Sequence, residues 1–220
     1  MIPEKYSDYT KKFEKLKAKH EGQKFPRLLK LFDIRFRLAL DMKISFHGEV
    51  SYTKTKRVGD TYALLFQLTE LWNAYEVLIQ WLKEKGMLKE AKWYRLYCNE
   101  MKKPISQKQL MDGLKEIKNM YRKERFAKDF NEYLQHIKDS QLKKELKDNA
   151  DTVGAWLAKN ENITGIAFLR LISAERNLVY HHGESAKMGS NYLSRKRILS
   201  NYIYFFISHI IDLACLAMEN

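Results

Sequence analysis

A chain of 220 residues, 45% apolar and 13% aromatic, is long enough to build one real core and at most a domain with an extension. That composition excludes a disordered tail, and only three prolines and nine glycines interrupt its lysine- and glutamate-rich stretches, so an all-α protein is expected. The formal net charge of +13 implies a surface that attracts polyanions, with RNA, DNA and acidic lipid headgroups as candidates that charge alone does not separate.

Residues 4–24 are mostly polar, with Tyr6, Tyr9, Phe13 and Leu16 at spacings of three and four, the pattern of a solvated amphipathic helix. Pro26 fits the first turn of a second helix, with Leu28, Leu29, Leu31, Phe32, Phe36 and Leu40 apolar and Arg27, Lys30, Arg35 and Arg37 between them. From Ile44 the period changes. Ile44, Phe46, Val50 and Tyr52 alternate with polar residues around His47-Gly48, which permits a short hairpin near 44–53, and Lys54 to Arg57 reads as a basic loop. This is the internal boundary: an N-terminal helical extension over 1–59 and a helical domain over 60–220.

Asp60 is the expected N-cap of the next helix, Leu64 to Lys85, with Gly86 ending it. Its apolar stripe is Leu64, Leu68, Leu71, Trp72, Tyr75, Leu78, Ile79 and Leu82; Gln67, Glu70, Asn73 and Glu76 recur on another face, where Glu76 is either solvated or a partner for an arginine. Further amphipathic stretches follow through Leu88 to Cys98, Leu110 to Tyr121 and Phe126 to Ile137. Lys115, Lys118, Arg122, Lys123, Arg125 and Lys128, with Tyr121 and Phe126 among them, form a basic cluster able to grip phosphates and stack a base. The last helix is expected from about Tyr192 to Met218, central in the core.

Cys98 and Cys215 have no CxxC partner and no histidine at ligand spacing, so both read as buried thiols of a reducing compartment. No apolar leader is visible at the N-terminus. The run from Asn201 to Ala217, interrupted by His209 and Asp212, falls short of the ~20 apolar residues of a membrane helix. A soluble, cytoplasmic protein without a membrane partner is expected.

The stretch that looks like chemistry is Ile172-Ser-Ala-Glu-Arg-Asn-Leu-Val-Tyr-His-His-Gly183. Adjacent histidines point about 100° apart on a helix and do not chelate one metal as an i,i+4 pair does, so no metal is expected. Phosphate-loop, dinucleotide, zinc-protease and nucleophile-elbow motifs are absent from the sequence, and no cofactor is expected. Arginine, asparagine and histidine at one helix end suit metal-free RNA cleavage. A histidine takes the proton from a ribose 2′-OH or returns one to the leaving oxygen, and an arginine stabilises charge on the phosphate.

Arg176-Asn177-Leu-Val-Tyr-His181 resembles the Arg-Asn-x-x-x-His form of the RxxxxH motif of the HEPN superfamily, and Leu71-Trp72-Asn73-Ala74-Tyr75-Glu76 resembles the first helix of many of its domains. The resemblance covers roughly 60–220. It implies a helical bundle that dimerises so that two motifs face each other, metal-independent endoribonuclease activity leaving a 2′,3′-cyclic phosphate, and a toxin–antitoxin or anti-phage defence setting with an antitoxin or defence-system partner. On it, Arg176 and His181 are catalytic and Asn177 supports them; Glu175, Tyr180 and His182 are substrate-side candidates. His182 also satisfies the family's looser spacing, so either histidine qualifies. Arg176 and His181 lie five residues apart, about 140° around an ideal helix, so a second copy across a two-fold would supply the missing convergence. The alternative is a non-catalytic HEPN-like module that holds RNA, a nucleotide or a partner protein.

Overall fold

The computed structural model describes residues 2–45, 56–88 and 192–219, together with Ser140, Gln141, Lys143, Lys144, Lys147, Asp148, Leu169, Ile172 and Arg176. The long elements are four helices, α1 (Tyr6–Lys19), α2 (Arg27–Asp41), α3 (Lys56–Glu84) and α4 (Tyr192–Glu219), and there is no strand among the described residues. The fold class is therefore all-α, as the composition predicts. Residues 46–53 of the expected hairpin, Lys54 and Thr55 of the expected basic loop, the basic cluster between Lys115 and Lys128 and the helices expected between 89 and 137 lie outside the described residues.

The apolar period of α1 becomes packing directly: Tyr9 and Phe13 are buried, and Tyr6 and Leu16 are half-buried against the same core. The helix ends at Lys19, earlier than the predicted 24, because Gly22 adopts a left-handed φ of 81° and turns the chain. Pro26 sits immediately before α2, and its carbonyl accepts the Lys30 N–H at 3.0 Å. Leu29, Phe32, Phe36 and Ala39 form the buried face of α2, while Leu31, Ile34 and Leu38 face outward.

At α3 the structure corrects the sequence. The helix begins at Lys56, so Lys56 and Arg57 belong to its first turn and Asp60 is an interior position, not an N-cap. Two basic residues are a poor start against the helix dipole, which is why the sequence points to Asp60. Tertiary contact overrides that preference: Asp60 pairs with Lys196 of α4 at 2.5 Å, and Thr61 is fully buried. At the other end Gly86 has φ 67°, its N–H reaches the Lys83 carbonyl at 2.9 Å, and Met87 N–H reaches the Leu82 carbonyl at 3.0 Å. This is the paired closure of a left-handed C-terminal cap at the glycine the sequence marks.

Three sets of contacts fix the directions of the helices. Arg35–Glu70 at 3.2 Å and Gln67 Nε2 to the Ala39 carbonyl at 2.9 Å make α2 and α3 antiparallel. Asp60–Lys196, the Trp72–Phe206 stack at 5.4 Å and the Tyr75–His209 ring contact at 6.1 Å make α3 and α4 parallel. Lys5–Asp212 and Lys12–Glu219, at one constant offset, make α1 and α4 parallel. A single core runs through all four helices, from Tyr9 and Phe32 to Trp72, Tyr75, Phe206 and Ala217. Tyr9 meets Phe36 edge-on at 5.4 Å, and Tyr75 meets Phe206 edge-on at 5.3 Å, geometries worth about 0.5–1.5 kcal/mol each beyond area burial. Within α4, Tyr202–Glu219 is long and apolar enough to cross a membrane by length and composition, and most of it is packed inside this core.

Candidate functional site

Of the residues assigned to the RNA-cleaving motif, Arg176 is described: it is α-helical and half-buried. Leu169 and Ile172, also helical, are buried, and the spacings of three and four put all three on one face. Arg176 thus continues the face whose Leu169 and Ile172 are buried, and its guanidinium Nε is itself enclosed. Glu175, Asn177, Tyr180, His181 and His182 lie outside the described residues, and so does any approach of Arg176 to a histidine.

Glu76 is exposed and accepts a 2.8 Å hydrogen bond from Trp72 Nε1 one turn back on α3. The rest of that polar face joins helices. Gln67 caps an α2 carbonyl, and Glu70 takes hydrogen bonds from Arg35 at 3.2 Å and from Asn73 at 3.1 Å. What reads in sequence as a wet face is largely a seam between α2 and α3.

Two buried polar groups have partners that only the fold reveals. On α2, Asp33 accepts the Tyr9 hydroxyl at 2.7 Å and Arg37 Nε at 2.8 Å through the same oxygen. Arg37 also lies over the Phe13 ring at 5.6 Å, within cation–π range. Burial first, and then the Asp33 charge and hydrogen bond, push the Tyr9 hydroxyl far above its ordinary pKa, so it serves as a permanent donor. A signal did exist: Asp33 falls at i+4 from Leu29 and three before Phe36, on the buried stripe, with Arg37 one turn on.

The second group lies on α4. His209 is buried among Tyr75 and Phe205, and desolvation, with a smaller push from the Lys5 charge, holds its pKa well below the usual imidazole value. Asp212, one turn on, pairs with Lys5 at 2.5 Å; burial raises its pKa and Lys5 opposes the rise. A neutral, enclosed imidazole set among rings is a packed core group. It is not placed to meet a substrate.

No group of three or more His, Cys, Asp or Glu side chains placed to hold a metal ion occurs among the described residues. No family model matches this chain, and neither a curated protein nor a solved structure matches it.

Proposed function

We propose that the protein is a metal-independent endoribonuclease of HEPN type, acting as a homodimer in a toxin–antitoxin or anti-phage defence setting. The observation that carries the reading is Arg176-Asn177-x-x-x-His181, whose Arg176 is helical and half-buried, with Leu169 and Ile172 before it helical and buried in an all-α protein. A half-buried guanidinium whose Nε is enclosed by the protein suits a phosphate contact that must not drift.

In the proposed reaction His181, or His182 beside it, takes the proton from a ribose 2′-OH. The oxygen attacks the adjacent phosphorus, the P–O5′ bond breaks, and the leaving 5′-oxygen receives a proton. Arg176 stabilises the charge that develops on the nonbridging oxygens, and Asn177, one helical turn before His181, orients the histidine. The two-fold places a second motif opposite the first, and the positive net charge concentrates RNA at the surface.

The test is incubation of purified protein with single-stranded RNA in EDTA. Cleavage to 2′,3′-cyclic phosphate ends is expected. His181→Ala is expected to reduce the rate by at least about 100-fold, the usual scale of a general acid–base group, with an unchanged circular dichroism spectrum. Cleavage by His181→Ala at the wild-type rate shifts the role to His182 if His182→Ala is inactive, and sinks the mechanism if it is not. Tight RNA binding without any cleavage would instead favour the non-catalytic module.

A further inference from the structure

The contacts between α1 and α4 form a ladder of opposite charges. Lys5 pairs with Asp212, and Lys12 pairs with Glu219; seven residues separate the rungs on each helix. On α1 the lysine side continues past the second rung. Lys15 and Lys19 follow Lys12 on the same face at steps of three and four, both are exposed, and neither makes an ion pair or hydrogen bond with any of the described residues. Among the described residues no acidic side chain pairs with Lys15 or Lys19 as Asp212 and Glu219 pair with Lys5 and Lys12.

At that point the surface is concave. An open cleft of about 290 Å³ is lined by Lys12, Lys15, Lys19 and Glu219, with Leu16 and Met218 as its apolar wall. Among the described residues that line it are three lysines and one carboxylate. The C-terminal end of α1 adds partial negative charge, and Lys19 in its last turn answers part of that. Such a terminus effect is confined to the final turn and does not account for Lys15 or for the cleft.

We infer that this cleft is an anion-binding site for a chain of closely spaced phosphates, whose charges replace the carboxylates that α4 supplies to the lower rungs. Lysine suits this ligand: a compact charge with rotatable donors on a flexible stem follows a phosphate chain without demanding one planar geometry. Lys15 and Lys19 are about 6 Å apart along the helix axis, a reach over which two flexible stems can take adjacent phosphates of one strand. Leu16 and Met218 offer an apolar surface for the sugar or base edge. Glu219 competes for Lys12, whose pKa it raises through their hydrogen bond, and so tempers binding. This assignment does not depend on the role of Arg176.

The experiment is fluorescence anisotropy on the full chain with a short, labelled 2′-O-methyl RNA oligonucleotide, which lacks the 2′-OH needed for self-cleavage. Binding loss and catalytic loss are thereby separated. Lys15→Gln with Lys19→Gln is expected to weaken binding by at least about tenfold and to lower the slope of log K against log salt by about 1.4, two phosphate contacts on a single strand. Lys143→Gln with Lys144→Gln removes the same charge from exposed helical positions elsewhere and is expected to change affinity less than twofold. Glu219→Gln is expected to tighten binding several-fold, more than the exposed control Glu21→Gln. Displacement of the oligonucleotide by a nucleoside triphosphate would identify a mononucleotide as the preferred source of the phosphates; no displacement would identify the strand. The inference fails if the Lys15/Lys19 variant binds like wild type, if the Lys143/Lys144 control loses as much, or if polyglutamate binds as tightly as the oligonucleotide.

Discussion

His209 shows how one buried side chain sets the response of the whole chain to acid. Its pKa is depressed in the folded state by burial, with a further push from Lys5, while in the unfolded chain it titrates near 6.5. Above that value both states leave the ring neutral and stability is unaffected. As the pH falls through and below it, the unfolded chain takes up a proton that the native core refuses, and stability drops by about 1.4 kcal/mol per pH unit while the folded ring stays neutral. Urea unfolding at a series of pH values between 7 and 5 is expected to show this slope in the wild type and a shallower one in His209→Phe. Equal slopes would remove His209 as the cause. Asp33 gives a second residue-level expectation. Tyr9→Phe removes one donor from a buried acceptor that keeps Arg37, and is expected to cost about 1 kcal/mol. Asp33→Ala strands the buried Tyr9 hydroxyl as well, and is expected to cost about 1–3 kcal/mol in the same assay.

At the scale of the element, α2 carries two apolar faces with different fates. Phe32 and Phe36 stack at 5.5 Å inside the core, whereas Ile34 and Leu38 are more than half exposed. Phe36→Ala is expected to destabilise by about 3–5 kcal/mol, and Ile34→Ser by no more than about 0.5 kcal/mol. Thermal melts of the two variants check the difference, and comparable losses would mean that the outer face is packed too. The sequence marks the apolar residues of α2, but it gives no rank between Leu31 and Phe32. Rank depends on which side α3 occupies, and that is settled by the Arg35–Glu70 and Gln67–Ala39 contacts. The start of α3 has the same cause. Local preference favours Asp60 as a cap, and the pairing of Asp60 with Lys196 makes it the middle of a turn. Gly86 is the opposite case: a positive φ after the last apolar residue is a local requirement, so its place is readable without knowing any neighbour.

Over the whole molecule, the first forty residues are joined to the last thirty. Lys5–Asp212 and Lys12–Glu219 link α1 to α4, and Tyr9 and Phe13 belong to the same core as Ile210 and Ala217. Deleting residues 1–24 removes two buried aromatic side chains and leaves Asp212 without Lys5, losses comparable to the 5–15 kcal/mol that hold an ordinary domain together. The truncated chain is therefore expected to lose its cooperative urea transition or to unfold at a much lower midpoint. An unchanged midpoint would make α1 an appendage. Separately, Cys215 is half-buried, and burial raises its thiol pKa to about 11, so slow reaction with a disulfide reagent at pH 8 is expected while the chain is folded.

Sequence by itself determined the helical class, the four long described helices to within a few residues at most ends, and the glycine stop of α3. These are local properties: a period of 3.6 and a residue that tolerates positive φ. Tertiary structure alone decided that α1 and α4 run parallel, that Asp33 and His209 are interior, that Glu70 is a link between helices, and that Lys12, Lys15 and Lys19 line one cleft with Glu219. Each of those depends on which residue far away in the chain arrives opposite. Equal spacing of Lys5 and Lys12 with Asp212 and Glu219 is visible in the sequence, but the offset that makes them partners is a product of packing the aromatic core.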